Sequence, residues 1–327
     1  MEILLHKISY ERVRGRLDAL RLDLQVTCVD SDGAYSRDGV GVEPKDVNPE
    51  VAWVSMDFFD TGQVPDSFDM VLRPGTVKWM QTFNAGLDRG RYKEVFESGI
   101  RMTNSSAQAA AISEYIMAQV LNVLHPFGAQ RRAKEKRTWV STPFPELSQS
   151  TWLIVGFGPI GQAVATRVRP FGAHILAVRR GTDSLGLADE LGQLDDLPAF
   201  LPRADVIVLA CALNDATRHI ADAEFFTHVK QDAILLNIAR GGLVDDEALL
   251  ACLDAGRLKM AVLDVFEPEP LDPESPYWEH PRVRVTAHTS WNGDGTVRRG
   301  DDLFLDNLVR YVRGEPLQME VRASHFG

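Results

Sequence analysis

Six short apolar runs spaced by helical patterns through the middle of the chain predict an α/β protein built on doubly wound parallel sheets. A looser strand-and-helix alternation before them predicts a second sheet of the same kind. The length, 327 residues, exceeds what one domain usually holds, so the fold class is α/β with two doubly wound parallel-sheet domains.

The middle runs are 151–156 (TWLIVG), 173–178 (AHILAV), 204–210 (ADVIVLA), 233–238 (AILLNI), 259–264 (KMAVLD) and 283–287 (VRVTA). Strands of a parallel sheet are covered on both faces, so they read as continuous apolar stretches rather than as alternation. Crossovers between parallel strands need helices, and 159–170, 221–229 and 245–255 carry helical patterns. In the first 102 residues, EILLHK, LQVTCVD, VAWVSMD, FDMVLR and VKWMQTF are read as strands with helices between. Residues 292–327 hold one amphipathic pattern, Leu303, Leu305, Leu308, Val309 and Val312, too little for a domain of its own. The expected division is 1–102 plus 292–327 as the substrate domain, with 103–291 inserted in it as a dinucleotide domain.

The stretch 107–124 (AQAAAISEYIMAQVLNVL) is apolar almost all round, which predicts a buried helix, between domains or in a dimer. Asn104, Ser105 and Ser106 are candidate caps for its start. The basic run 131–137 (RRAKEKR) is read as a solvated helix face.

Composition excludes several function classes. The net charge of −11 disfavours a nucleic-acid or membrane surface. The apolar run Val206–Ala210 is far too short to span a bilayer, and MEILLHKISYERVRGRLD lacks the apolar core of a signal peptide. Cys28, Cys211 and Cys252 are scattered, odd in number, and suit a reducing, cytoplasmic setting with no metal site.

Gly156-Phe157-Gly158-Pro159-Ile160-Gly161 fits G-x-G-x-x-G between the strand TWLIV and the helix QAVATRV. The first glycine makes a tight turn, the second lets the backbone approach a pyrophosphate, and the third lets helix and strand pack closely. The free N–H groups of the helix start then face the phosphates. This context predicts a Rossmann dinucleotide site. A carboxylate usually ends the second strand, roughly 20 residues on, where it holds the ribose 2′-hydroxyl. Here Val178 is followed by Arg179, Arg180, Gly181 and Thr182. A guanidinium offers a planar fork to a 2′-phosphate, so Arg179 and Arg180 point to NADP over NAD, unless they simply face solvent.

Three further segments leave the carboxyl ends of strands, where ligands bind in open parallel sheets. They are NIARGGLVDDEAL (237–249), VLDVFEPEPLDPESPYW (262–278) and VRVTAHTSW (283–291). With GFGPIG, in this order, they make the chain resemble the D-isomer-specific 2-hydroxyacid dehydrogenases, the group that includes glyoxylate/hydroxypyruvate reductases and D-3-phosphoglycerate dehydrogenases. The resemblance covers most of the chain and is strongest over 103–291. It implies a flavodoxin-like substrate domain beside the Rossmann domain.

It also implies an arginine–glutamate–histidine catalytic set at Arg240, Glu269 and His288. Glu267 sits where the family varies. By the same resemblance, the backbone at Asn84-Ala85-Gly86 grips the substrate carboxylate, with Arg240 assisting. Asp264 lies near the nicotinamide amide, and Ala212, Thr217, Ile238 and Ala239 line the cofactor. The chemistry suits these residue types. Reduction of a 2-keto acid leaves an alkoxide that His288 can protonate near neutral pH. A carboxylate at Glu269 orients the imidazole and favours its charged form. Arg240 can hold the substrate carboxylate and polarise the carbonyl.

The sequence departs from the family pattern in two places. Ala287-His288-Thr289-Ser290-Trp291 lacks the usual proline before the histidine, and Trp291 either narrows the nicotinamide pocket or packs between domains. Ala212-Leu213-Asn214 replaces the usual Pro-Leu-Thr, while Thr217 and Arg218 are kept. Ser55-Met56-Asp57-Phe58-Phe59 follows a strand and either lines the substrate pocket or packs in the core. The expected function is reduction of a small 2-keto acid to a D-2-hydroxy acid by a cytoplasmic homodimer whose two domains close over a cleft. Glyoxylate and hydroxypyruvate are the default substrates. A phosphoglycerate dehydrogenase is disfavoured by the lack of a further C-terminal domain, and formate oxidation by Glu269. The rival readings are a dinucleotide-sensing regulator with a silent site and a non-redox enzyme keeping a bound cofactor.

Overall fold

The computed structural model describes residues 1–181 and 186–326, with only the backbone of Val64 and Pro65. The chain divides into two compact units, Met1–Ala107 with Asp294–Gly327, and Gln108–Gly293.

Unit 1 opens with β1 (Glu2–His6), α1 (Lys7–Ala19), β2 (Gln25–Val29) and a hairpin of β3 (Tyr35–Arg37) and β4 (Val40–Val42). Then come β5 (Val51–Val54), α2 (Met56–Asp60), α3 (Val64–Leu72), β6 (Trp79–Thr82), α4 (Gly90–Glu97) and β7 (Arg101–Thr103). The strand order is β4-β3-β2-β1-β5-β6-β7. From β2 to β7 the sheet is parallel, and its order has the flavodoxin-like pattern. The hairpin adds an antiparallel edge. One sequence expectation fails here, and one strand had no expectation at all. FDMVLR lies in α3 and is not a strand, because Phe68, Val71 and Leu72 fall at i, i+3 and i+4 and Asp66 sits in the first helical turn. The actual final strand, β7, is only three residues long and too short to show a period.

Unit 2 begins with α5 (Ala109–Leu124), α6 (Phe127–Glu135), β8 (Thr151–Val155), α7 (Pro159–Val168) and β9 (His174–Val178). It continues with β10 (Glu190–Gly192), α8 (Leu197–Phe200), β11 (Val206–Leu209), α9 (Ala223–His228), β12 (Ala233–Asn237), α10 (Asp246–Asp254), β13 (Leu258–Leu263) and β14 (Val283–Val285). Its sheet, β10-β9-β8-β11-β12-β13-β14, is parallel throughout. That is the Rossmann order with one strand added. The chain then returns to unit 1 as α11 (Thr296–Val312).

Alternate strand residues feed opposite faces of each sheet. In unit 2, Leu153, Val155, Ile207, Leu209 and Leu235 enter one buried layer. Trp152, Ile154, Val206, Val208 and Ile234 enter the other, beneath Ile112, Ile116 and Val120 of α5 and Val164 and Val168 of α7. The apolar α5 thus covers the sheet of its own unit. It starts at Gln108 with no side-chain cap, and Ser105 Oγ accepts instead from the Ala107 N–H. In unit 1, Ile3, Leu5 and Trp53 pack with Phe304 and Leu308 of α11, the Trp53 and Phe304 rings stacking at 4.2 Å.

Candidate active site

The glycine turn joins β8 to α7, and each glycine is required for a different reason. Gly156 has φ +100, and a Cβ there would lie 2.5 Å from the Ala210 carbonyl carbon at the end of β11. A Cβ on Gly161 would overlap the Gly156 carbonyl oxygen and press on Ile154 at 3.1 Å. These two glycines serve the fold. A Cβ on Gly158 would meet nothing within 4 Å, so only a ligand would need that space. Gly158 is the N-cap of α7 and supplies no side chain to the first turn. The N–H groups of Ile160 and Gly161, in the first turn of the helix, therefore have no intrahelical acceptor, the arrangement that suits an anion. The Phe157 side chain is buried in the core, leaving only its backbone to the turn. The residues present fit a dinucleotide.

β9 runs beside β8 and delivers its end to the same sheet edge. Arg179 is half-buried there, and its N–H donates to the Gly192 carbonyl of β10 at 3.0 Å. Arg180 is exposed. Thr182, named with them in the sequence, lies outside the described residues.

The catalytic candidates come off three adjacent strands. Asn237 ends β12 and clamps the following turn: its Nδ2 donates to the Arg240 carbonyl at 2.8 Å, and its Oδ1 accepts from the Ala239 N–H at 3.2 Å. Arg240 is half-buried, with Nη1 donating to the Ala239 carbonyl at 2.6 Å. The two glycines after it let another loop lie on top. A Cβ on Gly241 would sit 2.5 Å from the Phe266 carbonyl oxygen, and one on Gly242 would strike the Glu267 carboxylate. Glu267 in turn pairs with Arg218 at 2.9 Å, tying together the loops after β11, β12 and β13.

Glu269, in that covering loop, holds the histidine. Its Oε2 lies 2.9 Å from His288 Nδ1, and its Oε1 accepts from the Phe266 N–H at 3.0 Å. Both side chains are a little over one-third exposed, so the pair is open to a ligand. His288 sits at φ +50. That left-handed conformation costs a non-glycine residue about 1–2 kcal/mol, so the surroundings must impose it.

Asp264 supplies much of that restraint. Its side chain is 0% exposed. Oδ1 accepts from the Thr286 hydroxyl at 2.6 Å and the Thr289 N–H at 2.9 Å, and Oδ2 from the Ser290 N–H at 3.0 Å. Its carbonyl accepts the His288 N–H at 2.7 Å. Sequence reasoning saw neither this anchor nor the Asn237 clamp; the only signal was a polar residue ending each of two apolar strands. Thr217 is likewise buried and structural, its hydroxyl donating to the Ala212 carbonyl at 2.7 Å and accepting from the Asn214 N–H at 2.9 Å. Ala212 is exposed, Ala239 half-buried, and Ile238 buried in the sheet core. Trp291 is half-buried and packs on the core of its own unit, alongside α5 residues. Cys211, after β11, is pushed up to about 11 by burial and stays a neutral thiol.

In unit 1, Asn84, Ala85 and Gly86 form a half-buried turn after β6. Asn84 Nδ2 donates to the Tyr92 hydroxyl at 2.8 Å, and Asn104 Nδ2 donates to the Ala85 carbonyl at 2.8 Å. The Ser55–Phe59 segment splits between core and charge network. Phe58 is buried in the core, while Asp57 accepts from Arg12 at 2.9 and 3.0 Å, Ser9 at 2.6 Å and Ser55 at 3.0 Å. Arg12 holds the Asp57 carboxyl below its usual range, against the effect of burial. Among the described residues, no group of three His, Cys, Asp or Glu stands together as metal ligands, and no helix is long and apolar enough to cross a membrane.

A parallel Rossmann sheet carrying a phosphate cradle and an Arg–Glu–His set on its carboxyl edge defines a dinucleotide-dependent class of protein. Residues 117–290 match the model described as D-isomer specific 2-hydroxyacid dehydrogenase, NAD binding domain, and the chain belongs to that family. It is similar to an uncharacterized protein of Corynebacterium melassecola, 31% identical over 80% of this chain and 87% of the relative. It is also similar to the glyoxylate reductase/hydroxypyruvate reductase of Homo sapiens, 34% identical over 54% of each; the match thus spans about half of that relative's length. Among solved structures, the NADPH-dependent glyoxylate/hydroxypyruvate reductase of Sinorhizobium meliloti, in complex with NADP and sulfate, is 26% identical with a TM-score of 0.71. That likeness covers 98% of this chain and 97% of the other.

Proposed function

We propose that the protein reduces a small 2-keto acid of the glyoxylate or hydroxypyruvate type to the D-2-hydroxy acid, with NADPH preferred over NADH. The observation that carries this reading is the His288–Glu269 pair at 2.9 Å, on the same carboxyl edge of the sheet as Arg240 after β12 and the glycine turn after β8. A nicotinamide dinucleotide, when bound, supplies the hydride. His288 protonates the carbonyl oxygen as it becomes an alkoxide, and takes the proton back in the reverse direction. Glu269 holds the imidazole by Nδ1, which leaves Nε2 for the substrate oxygen. Arg240 binds the substrate carboxylate and stabilises the developing charge.

The NADP preference rests on Arg179 at the end of β9, where a carboxylate would repel a 2′-phosphate, and on the NADP complex of the Sinorhizobium relative. The same reading includes a cytoplasmic homodimer, supported by three cysteines kept as thiols and by the exposed apolar residues Phe127, Trp139 and Val140. Sedimentation of the purified protein checks the dimer. The function is tested by a panel of 2-keto acids with NADPH and NADH, followed by loss of reduced-nicotinamide absorbance. Turnover of a small keto acid, faster with NADPH, is expected; oxidation with none of them overturns the proposal.

A further inference from the structure

Two successive carbonyls of the Asn84–Gly86 turn in unit 1 are pinned by the same neighbouring segment. β6 and β7 lie side by side, with Gln81 opposite Thr103. Just past the strand ends the two chains stay bonded. The Ser105 N–H donates to the Asn84 carbonyl at 3.0 Å, and Asn104 Nδ2 donates to the Ala85 carbonyl at 2.8 Å. Both of these peptide units are trans. In a planar trans unit the N–H points away from the C=O. Drawing the two carbonyls toward residues 104 and 105 therefore turns the Ala85 and Gly86 N–H groups the other way. Among the described residues, neither N–H has a protein acceptor. Successive N–H groups in a turn make an anion site.

The residue that pins the Ala85 carbonyl is itself well fixed. Asn104 is 6% exposed, and its own N–H donates to the Met319 carbonyl at 3.1 Å. The Val321 N–H donates to the Met102 carbonyl at 2.8 Å, so the C-terminal segment runs along the other edge of β7. The first residue of the turn has a separate peg, Asn84 Nδ2 donating to the buried Tyr92 hydroxyl at 2.8 Å. Of the two carbonyl pins, Ser105 uses its main chain and Asn104 its side chain. Asn104 is thus the side chain whose loss releases a peptide unit of the turn.

We propose that Asn104 is a positioning residue for the substrate, holding the Ala85 carbonyl so that the Ala85 and Gly86 N–H groups stand ready for the carboxylate that the family resemblance assigns to this turn. The inference deepens the reductase reading and rests on it. Asn104 acts through the turn, since it is buried and its Nδ2 is spent on the carbonyl. The chemistry calls for an amide. Facing a carbonyl takes a donor, and an ionised aspartate of the same shape has none.

The variants are Asn104→Ala, which removes the donor, Asn104→Asp, which keeps the shape, and Tyr92→Phe, which removes the Asn84 acceptor but leaves both carbonyl pins. With NADPH saturating, Asn104→Ala should raise KM for the best keto acid about tenfold, as for a weakened charge-assisted bond. Its kcat should stay within about threefold, because binding lost equally from substrate and transition state moves KM alone. Asn104→Asp should raise KM further, since its charge also repels the carboxylate, and Tyr92→Phe should raise it less. A merely structural asparagine would lower kcat and the urea midpoint together, without that split, and this outcome overturns the inference.

A readout independent of turnover is oxamate, a carboxylate of keto-acid shape that cannot be reduced, titrated by calorimetry with NADPH present. The Gly86 amide proton is followed in parallel, assigned by its loss from the glycine region in Gly86→Ala. Oxamate should move this signal downfield in the parent, and in Asn104→Ala the shift should shrink and the oxamate Kd rise about tenfold. If Asn104→Ala, folded as the parent is, keeps KM and oxamate Kd within about twofold, the inference falls while the reductase reading stands. If the parent turns over no keto acid, the reductase reading falls and the amide still decides. A Gly86 signal that oxamate moves in the parent but not in Asn104→Ala upholds the role of Asn104, and a signal that oxamate never moves overturns it.

Discussion

Substituting alanine at each glycine of the turn separates what the fold needs from what a ligand needs. Gly156→Ala puts a Cβ 2.5 Å from the Ala210 carbonyl carbon at a residue with φ +100. The left-handed backbone costs about 1–2 kcal/mol and the overpacking about 1–3, so a loss of about 2–5 kcal/mol is expected. Gly161→Ala keeps an ordinary helical backbone and loses only the packing part, about 1–3 kcal/mol. Gly158→Ala differs from both. Its φ of −79 suits alanine, and nothing lies within 4 Å of the new methyl. Removing a glycine from the unfolded chain returns about 0.4–1 kcal/mol, which offsets a loss of about 0.5–1 kcal/mol for the poorer cap. Urea unfolding of the Gly158→Ala protein should therefore match the parent. Titration with NADPH, followed by protein fluorescence, should show binding weakened about tenfold to a hundredfold, or about 1.4–2.7 kcal/mol, because the methyl stands where a pyrophosphate approaches. Parental affinity in a fully folded Gly158→Ala protein would refute the assignment of this turn to the phosphates.

The other predictions use the rest of the edge and one titration. Arg179→Asp should weaken NADPH far more than NADH in the same fluorescence titration; equal losses count against a 2′-phosphate partner. His288→Asn should abolish turnover of the best keto acid while leaving NADPH binding nearly intact, and a variant with near-normal turnover removes His288 from the mechanism. Glu269→Gln should lower kcat more than it changes KM, read from initial rates, since it orients the acid without touching the substrate. His6, buried at the end of β1, caps α1 by accepting the Ile8 N–H on Nδ1, and burial pulls its pKa below the ordinary value despite the nearby Asp57 charge. The folded state then binds fewer protons than the unfolded one, so this contribution is complete above about pH 6.5 and is lost as pH falls toward the depressed value. His6→Asn keeps a capping acceptor without titrating, and its urea midpoint should fall less than the parent's between about pH 7.5 and pH 5.5; an equal fall rules His6 out as the source.

What could be read from the sequence follows from how far apart in the chain the causes lie. The long strands of unit 2 are legible because burial on both faces leaves an unbroken apolar run, as in Leu153–Val155 and Val206–Leu209. β10 was invisible: Glu190, Leu191 and Gly192 are three residues with only the last buried, and they pair because β9 is already there. The hairpin of β3 and β4 is an edge with no fully buried residue, so no hydrophobic period marks it. FDMVLR deceived because six apolar-rich residues satisfy both periods, and only the preceding acidic turn decides. Arg240, Glu269 and His288 could be grouped because strand ends in one parallel sheet share an edge, while the roles read for them came from the family resemblance alone. Asn237 and Asp264 were visible only as polar ends of apolar strands, since their partners are backbone groups that no sequence pattern displays.

The lengths of the two long motifs have a physical origin that their side chains do not reveal. NIARGG and FEPEP are separated in the chain, yet Gly241 can only be glycine because the Phe266–Glu267 backbone lies where its Cβ would be. Gly242 is under the same constraint from the Glu267 carboxylate, which Arg218 holds from a third loop. Backbone lying on backbone restricts both partners over several residues. A catalytic arginine or glutamate alone would mark a single position. The contact also explains why these residues suit chemistry. The loop bearing Glu269 is set down on the turn bearing Arg240, and Glu269 then draws in His288 from the next strand. The arrangement depends on two bare glycine α-carbons as much as on any charged group. Glu267, though exposed, therefore matters through the turn it covers, and its loss should be felt at Glu269 before it is felt in the fold.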